Sequence, residues 1–168
     1  MRVAMGEDAF DGVRADLDGC VGAALTAHGA VVTKSTGDGV MAGFTSTAAA
    51  LRCSVAIQQA VATRNRAAGE PVGGREALAV RIGISVGDAV VDNGDLQGTA
   101  VVEAARLCAA GNGGTILCSG AVRAVSANRS GCAFGPASPL DLKGLPAPVM
   151  THEVDWEPLP YEPDVNRL

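Results

Sequence analysis

Apolar and polar residues follow one another along the first half of the chain with the spacing of two helices and a hairpin. Apolar positions recur at three- and four-residue steps over 6–28 and again over 46–66, which predicts two helices. Between them lie two short β-like runs, 30–34 and 40–45, joined by Ser-Thr-Gly-Asp-Gly. An Asp-Gly pair between two apolar runs indicates a tight hairpin turn, so the first half predicts helix, hairpin and helix in that order.

The second half of the chain predicts shorter elements separated by turns. A polar, glycine-rich loop over 67–77 precedes an apolar run over 78–91, which predicts a long strand broken at Gly87-Asp88 and ended by the turn 92–95. The remaining predicted elements are a helix over 99–110, a strand over 115–118, a short helix over 119–127 and strands near 133, over 140–143 and over 149–154. Helices and strands connected by hairpins predict an α+β fold, with the helices packed on one face of a mostly antiparallel sheet.

Composition and charge narrow the class of protein. With 168 residues, 48% of them apolar and only 18% charged, the chain is long enough for one hydrophobic core and is not of the disordered type. It has no run of about 18 apolar residues that could cross a membrane and no apolar signal segment at its start, so we expect a cytoplasmic protein. The net charge of −5 argues against a protein that binds nucleic acid. The five cysteines form no Cys-x-x-Cys pair, so we expect buried, reduced thiols rather than disulfides or a zinc site.

Common catalytic motifs are absent from the sequence. There is no Gly-x-x-x-x-Gly-Lys-Ser/Thr phosphate loop, and Gly37-Asp38-Gly39 falls in a predicted hairpin rather than at the start of a helix. Neither His28 nor His152 follows the pattern of a nucleophile elbow, so a Ser/His/Asp triad is not expected. Two polar segments remain as candidates for chemistry, one at the tip of the predicted hairpin (34–39) and one from the turn into the next helix (95–106).

These two segments, together with two others, resemble the class III nucleotide cyclases. Val31-Val-Thr-Lys-Ser-Thr-Gly-Asp-Gly-Val-Met-Ala-Gly-Phe44 resembles the hairpin of that family, and Arg81-Ile-Gly-Ile-Ser-Val-Gly-Asp88 resembles its next strand. The segment 98–107 resembles the start of the family's dimer-arm helix, and Leu142-Lys-Gly followed by Val149-Met-Thr-His-Glu-Val resembles its closing strands. The resemblance extends from about residue 7 to residue 155, with the four motifs in the family's order.

The resemblance implies a fold, a reaction and partners. The fold is a ferredoxin-like α+β cyclase homology domain over 1–156, followed by a proline-rich tail over 157–168. Domains of this family convert ATP to 3′,5′-cyclic AMP and pyrophosphate in a site shared by two head-to-tail domains. The implied partners are therefore ATP and either a second copy of this chain, forming a homodimer, or another cyclase domain, forming a heterodimer. The implied cofactors are a pair of Mg²⁺ or Mn²⁺ ions.

The resemblance also implies roles for five residues. Lys34 and Asp95 recognise adenine, the lysine donating to ring N1 and the aspartate accepting from the exocyclic amine. Asp38 is one of two aspartates that bind the metal ions, and Lys143 binds phosphate. Arg106 stabilises the charge that develops on the α-phosphoryl group in the transition state.

Four of these five residues also have a simpler interpretation when they are taken alone. Asp38 and Asp95 fall at turns, where aspartate is common for local reasons. Lys34 is compatible with a solvated lysine at the end of a strand. Arg106 is compatible with a surface ion pair to Glu103, three residues before it on the same predicted helix.

The sequence departs from the family pattern in two places. The family begins with a strand that bears the other metal-binding aspartate, whereas this chain begins at the helix that follows, so we expect an N-terminally incomplete domain without the first strand. Val102 stands where the family has an asparagine that orients the ribose. Three explanations stay open: a longer natural protein, a decayed gene, or a domain that completes the site of another cyclase domain. The alternative function is a catalytically degenerate module for dimerisation or nucleotide sensing.

Overall fold

The computed structural model describes residues 7–69, 77–126 and 128–160 as four helices and eight strands. The helices are α1 (Glu7–Ala27), α2 (Thr47–Ala67), α3 (Thr99–Ala110) and α4 (Gly120–Ser126). The strands are β1 (Val32–Ser35), β2 (Val40–Gly43), β3 (Ile82–Ile84), β4 (Val90–Asp92), β5 (Asp95–Gln97), β6 (Ile116–Ser119), β7 (Ser138–Leu140) and β8 (Val149–Glu153). The four helices that the sequence predicts are confirmed, each with ends within one residue of the prediction.

The strands form one four-stranded sheet and two separate hairpins. The four-stranded sheet has the order β3-β6-β8-β7, in which only the β3–β6 pair is parallel. The hairpins are the antiparallel pairs β1–β2 and β4–β5. The predicted α+β class, with mostly antiparallel pairing, is confirmed. In the part of the chain that the structure describes, β2 and β3 each pair with a strand on one side only.

Two apolar clusters, both built on α2, form the core. In the first, Leu51 of α2, Ile116 of β6 and Val122 of α4 are fully buried against one another. In the second, Leu25 of α1 and Ile57 of α2 are buried over the β1–β2 hairpin. Because α2 contributes to both clusters, it joins the four-stranded sheet to the hairpin.

Helix α3 lies on the face of β3 that is opposite to α2. Side chains alternate along a strand, so Ile82 and Ile84 point toward the α2 side while Gly83 points the other way. A Cβ atom added to Gly83 would collide with the backbone of Ala104 and Cys108 in α3. The sequence predicts all helices on one face of the sheet; α2 and α4 are there, but α3 is not, because this glycine lets the helix backbone touch the strand directly.

The predicted strand over 78–91 is much shorter in the structure, because side chains of α2 take the place of a neighbouring strand. The Asn65 amide donates to the Leu78 carbonyl at 2.8 Å and accepts from the Leu78 amide at 2.9 Å. The Gln58 amide donates to the Val80 carbonyl at 2.9 Å. The Val80 carbonyl also accepts from the Gly114 amide at 2.7 Å. Side chains of α2 thus satisfy part of this backbone, and regular strand pairing starts only at β3.

Other differences from the prediction are local. The strand predicted over 140–143 is β7, three residues long and ending at Leu140, so Lys143 lies in a turn. The segment 95–97, which the sequence did not predict to be a strand, is β5. Parts of the predicted loop (70–76), of the proline-rich tail (161–168) and of the start of the domain (1–6) lie outside the described residues. Residues 157–160 lie along α2, where Gln59 donates to the Glu157 carbonyl at 3.0 Å and Arg66 donates to the Leu159 carbonyl at 2.7 Å.

The cysteines are free thiols, as expected, but only two of the five are buried. All five cysteines are free, with Cys53 and Cys118 buried and the other three half-buried. Burial raises the pKa of the Cys53 and Cys118 thiols to about 11, so both stay protonated at neutral pH.

No helix within the described ranges combines the length and the apolar character that crossing a membrane requires.

Candidate nucleotide site

Lys34 and Asp95, which are 61 positions apart in the sequence, form an ion pair between the two hairpins. Lys34 Nζ donates to Asp95 Oδ2 at 2.6 Å. Asp95 is the first residue of β5, directly after a two-residue turn in which Asn93 and Gly94 have positive φ angles of 49° and 79°. Two positive φ angles in a two-residue turn match the twist of a hairpin, and asparagine followed by glycine is the sequence that tolerates them best. The turn therefore fixes the position of Asp95 at the start of β5.

The electrostatics around Asp95 explain why it takes a lysine partner. Asp95 lies directly opposite Asp92 in the β4–β5 ladder, and like charges in that arrangement repel. The hydrogen bond from Lys34 lowers the pKa of Asp95, so the carboxylate stays ionised. The two side chains remain 46% and 34% exposed, and exposed pairs of this kind contribute little to the stability of a fold. The arrangement offers one donor and one acceptor to solvent, side by side.

Apolar packing holds β5 against the β1–β2 hairpin beside this pair. Leu96 lies over Gly43 at the end of β2, where a Cβ atom would come within 2.7 Å of Leu96 Cδ1. Leu96 is half-buried, whereas its neighbour Gln97 is exposed. The contact sets how closely Asp95 approaches Lys34.

Asp38 lies at the exposed tip of the β1–β2 hairpin. The turn is closed by a 2.9 Å hydrogen bond from the Thr36 amide to the Gly39 carbonyl, and the Arg14 guanidinium of α1 donates to the Gly37 carbonyl. The Asp38 carboxylate accepts no hydrogen bond from any described residue. For the pair of divalent ions that the family implies, the described residues supply this one carboxylate and place no group of three His, Cys, Asp or Glu side chains together. These residues by themselves do not fit a two-metal site.

Arg106 is exposed on the second turn of α3 and forms no ion pair or hydrogen bond with another described residue. The simpler interpretation, a surface pair with Glu103, is not the arrangement in the structure. Glu103 instead accepts a 2.7 Å hydrogen bond from the Ser85 hydroxyl, which follows β3. Val102, one turn before Arg106, is 44% exposed and has no side-chain group for hydrogen bonding.

Lys143 lies in the turn between β7 and β8. The buried Leu142 anchors the start of this turn, and Gly144 follows with a φ angle of 86°. The Lys143 side chain is exposed and has no side-chain partner among residues 7–69, 77–126 and 128–160. Of the five candidates, then, the structure brings Lys34 and Asp95 into contact and leaves the other three as separate, exposed charges.

The sequence analysis named Glu103 only as a partner for Arg106, and it did not single out Ser85 or Arg14. Ser85 and Glu103 touch each other, and Arg14 touches the hairpin tip beside Asp38. A signal for the first contact exists in the sequence, because strand alternation places Ser85 on the same side as Gly83, the side on which a helix is accommodated. No comparable local signal marks Arg14.

Comparison with known proteins assigns the chain to a family. No family model matches it. It is 34% identical over 131 residues to "Putative adenylate cyclase 3" of Rhizobium meliloti (strain 1021), which covers 78% of this chain and 21% of that protein. The chain thus spans about a fifth of the length of the curated relatives it matches.

Solved structures give the second line of comparison. The crystal structure of an adenylate/guanylate cyclase/hydrolase from Silicibacter pomeroyi superposes with a TM-score of 0.76 and 31% identity, covering 89% of this chain and 86% of that one. The adenylyl cyclase CyaB from P. aeruginosa shares the fold, with a TM-score of 0.74 and 20% identity over 94% of this chain and 85% of that one. With its helices, hairpins and sheet in the same arrangement as these proteins, the chain belongs to the family of class III adenylate/guanylate cyclase catalytic domains.

Proposed function

We propose that this chain recognises the adenine of ATP through Lys34 and Asp95 and takes part in converting ATP to 3′,5′-cyclic AMP and pyrophosphate. The observation that supports this most directly is the 2.6 Å contact between the two side chains, which places a donor beside an acceptor on an accessible surface. Adenine presents an acceptor at ring N1 and a donor at its exocyclic amine, which matches lysine and aspartate. Guanine presents the reverse pattern at the same edge, so this pair favours ATP over GTP.

Arg106 and Lys143 are proposed to act on the triphosphate. Both cations are exposed and uncommitted within the described part of the chain, as residues that meet an anionic ligand should be. In the reaction the ribose 3′-oxygen loses its proton and bonds to the α-phosphorus, while the bond from that phosphorus to the bridging oxygen breaks and pyrophosphate leaves. Arg106 would stabilise the negative charge that builds up on the α-phosphoryl oxygens, and Lys143 would bind the phosphates.

The divalent ions of the family, when bound, would activate the 3′-hydroxyl and neutralise the leaving pyrophosphate. We assign no step to them in this chain, since no three His, Cys, Asp or Glu side chains of the described residues lie together as a metal site would require. The proposal gives this chain the recognition of the base and the stabilisation of phosphate charge.

A second cyclase domain is the proposed partner, either another copy of this chain in head-to-tail orientation or a different cyclase domain. Support comes from apolar residues that lie exposed on the β4–β5 hairpin and on the helix after it: Val90 is 68% exposed, Val91 57% and Val102 44%. Exposed apolar residues on one hairpin and on the helix that follows it are consistent with a surface that binds another protein. Such a partner would also bring its own metal-binding carboxylates to a shared site.

The double variant Lys34→Glu/Asp95→Cys tests the recognition of the base. It places an acceptor where the lysine was and removes the acceptor at 95, so the preference should shift toward GTP by roughly ten- to hundredfold, as expected when hydrogen-bonding partners are exchanged. Binding of fluorescent ATP and GTP analogues and the yield of each cyclic nucleotide measure the shift. The matched control is Asp16→Cys/Arg64→Glu, which breaks the other ion pair of the described residues, 3.1 Å long and between α1 and α2, and should leave selectivity unchanged. Unaltered ATP:GTP selectivity in the first variant would reject the assignment.

A nucleotide-sensing module without turnover is the second candidate. Two observations favour it: no described cluster is suited to a metal ion, and Val102 offers no hydrogen bond to a ribose. ATP binding without cyclic AMP, both for the chain alone and for the chain mixed with a cyclase domain that binds metal but lacks the base-recognising lysine, would select this candidate. A gain of cyclic AMP in the mixture would select the enzyme.

A further inference from the structure

The contact between Ser85 and Glu103 lies where α3 touches β3. Gly83 lets the helix backbone lie directly against the strand, and Ser85, two residues later, faces the same helix. The Ser85 hydroxyl donates to Glu103 Oε1 at 2.7 Å, and both residues are half-buried. A half-buried carboxylate without a cation is costly unless it is hydrogen-bonded, and this serine is its one hydrogen-bond donor among the described residues.

The position of Glu103 on α3 makes its choice of partner unexpected. Residues three positions apart on a helix lie on the same face, and a glutamate followed by an arginine at that spacing ordinarily attracts it. Glu103 and Arg106 have this spacing, yet the carboxylate turns toward Ser85 and the guanidinium stays exposed without a partner in the described chain. The Glu103 carboxylate is therefore hydrogen-bonded to Ser85 instead of being paired with Arg106.

We propose that Ser85 is a positioning residue, which holds Glu103 against β3 and so leaves Arg106 free for an anionic substrate. The inference rests on the proposed role of Arg106 at the triphosphate. Ser85 itself touches no substrate; its effect reaches the reaction through Glu103. This proposal has a specific consequence: the loss of activity on removing the Ser85 hydroxyl should require the Glu103 carboxylate to be present.

The first test is enzymatic and uses the full chain with ATP. Arg106→Ala sets the lower limit, with a loss in kcat of roughly a hundredfold and a much smaller change in KM, as expected for a contact that strengthens in the transition state. Ser85→Ala should lower kcat by about tenfold, part of that loss, because the released carboxylate pairs with Arg106. Adding Glu103→Gln to Ser85→Ala should restore kcat, since the competing charge is gone, and Ser85→Thr should keep it. A merely structural role for Ser85 predicts no rescue by Glu103→Gln, and that outcome would overturn the proposal.

The second test does not depend on catalysis. In spectra of the chain labelled with ¹⁵N-arginine, the Nε–H signal of Arg106 is identified by its loss in Arg106→Ala. Glu103→Gln should leave this signal in place when Ser85 is present and shift it in the Ser85→Ala background. A shift in both backgrounds, or in neither, contradicts the proposal. The matched control is Ser126→Ala, which removes a buried serine hydroxyl from α4 and should leave the signal unmoved.

The two tests separate this inference from the proposed function. If the chain formed no cyclic AMP, alone or with a metal-binding cyclase domain, the proposed enzymatic role would fail while the spectra still decided whether Ser85 keeps Glu103 from Arg106. If the chain formed cyclic AMP and Ser85→Ala left both kcat and the Arg106 signal unchanged, the positioning role alone would be rejected.

Discussion

The side of the molecule built on α2 and the side that carries the two hairpins differ in almost every physical respect. On the α2 side, Leu51, Ile116 and Val122 are completely buried in one apolar cluster. On the hairpin side, Val90 and Val91 are largely exposed, and Lys34, Asp38 and Asp95 present charges to solvent. The residues that stabilise the fold and the residues proposed to recognise the base therefore lie in separate parts of this domain, so each set can be changed without the other.

The two ion pairs of the described residues show the same contrast on a smaller scale. Arg64 and Asp16 join α1 to α2, two helices that already pack through a shared apolar cluster. Lys34 and Asp95 join two hairpins, and among the described residues theirs is the one hydrogen bond between those hairpins. The first pair adds to a large apolar contact, whereas the second lies beside the small apolar contact between Leu96 and Gly43 and determines how the two hairpins present their polar groups.

A substitution on the α2 side should change the free energy of unfolding the most. Leu51→Ala removes a fully buried side chain from the centre of the first cluster and should lower the free energy of unfolding by about 2–5 kcal/mol, measured by urea denaturation. Val90→Ala, a truncation of similar chemistry on the exposed hairpin, is the control and should cost less than about 0.5 kcal/mol. Similar losses in the two variants would remove the distinction between the two sides.

An intermediate effect is expected from Val91→Lys. The change places a charge in the proposed contact with a second cyclase domain, so self-association should weaken by about tenfold or more, equivalent to about 1.4 kcal/mol. Sedimentation velocity over a range of concentrations measures this. Val125→Lys, an equally exposed valine on α4, should leave association unchanged. If both lysines weakened association alike, or neither did, the hairpin would not be the contact surface.

The smallest effect concerns the Lys34–Asp95 pair as a contributor to stability. Because the Lys34 hydrogen bond lowers the pKa of Asp95, the ionised carboxylate stabilises the fold at pH values above its ordinary pKa, and this is lost as the pH falls through the lowered value. Asp95→Asn should therefore differ slightly from the wild type in free energy of unfolding near neutral pH and not at all in acid. Urea titrations at a series of pH values measure the difference, and a difference that grew toward acid would have the wrong sign.

The sequence predicts the helices well and the strand pairing less well, for physical reasons visible in particular residues. The apolar spacing of α3 places its ends correctly, because a helix depends on residues close in the chain. The run 78–91 is mostly apolar, yet Asn65 and Gln58 of α2 bind the backbone at its start, which no local pattern reveals. β5 escapes prediction because three residues with one apolar member between two polar ones give no strand signal.

Predictability within the candidate site divides in the same way. The family resemblance assigns Lys34 and Asp95 to one task, and the structure brings the two side chains into contact, while their role stays a proposal. Strand alternation places Ser85 on the helix-facing side of β3, but the sequence does not show which residue of α3 it meets, since that depends on how closely α3 approaches β3 at Gly83. The positions of Asp38, Arg106 and Lys143 relative to a bound nucleotide stay predictions.

The length of the two-residue turn at Asn93–Gly94 determines which residue of β5 lies opposite Lys34. It sets Asp95, and not its neighbour, as the residue that meets Lys34. Because adjacent positions in a strand point to opposite faces, adding or removing one residue between 92 and 95 would bring Gly94 or Leu96 opposite the lysine and abolish the acceptor. Under the proposed function, the preference for one purine would therefore depend on the length of this loop as well as on the identity of the side chain at 95.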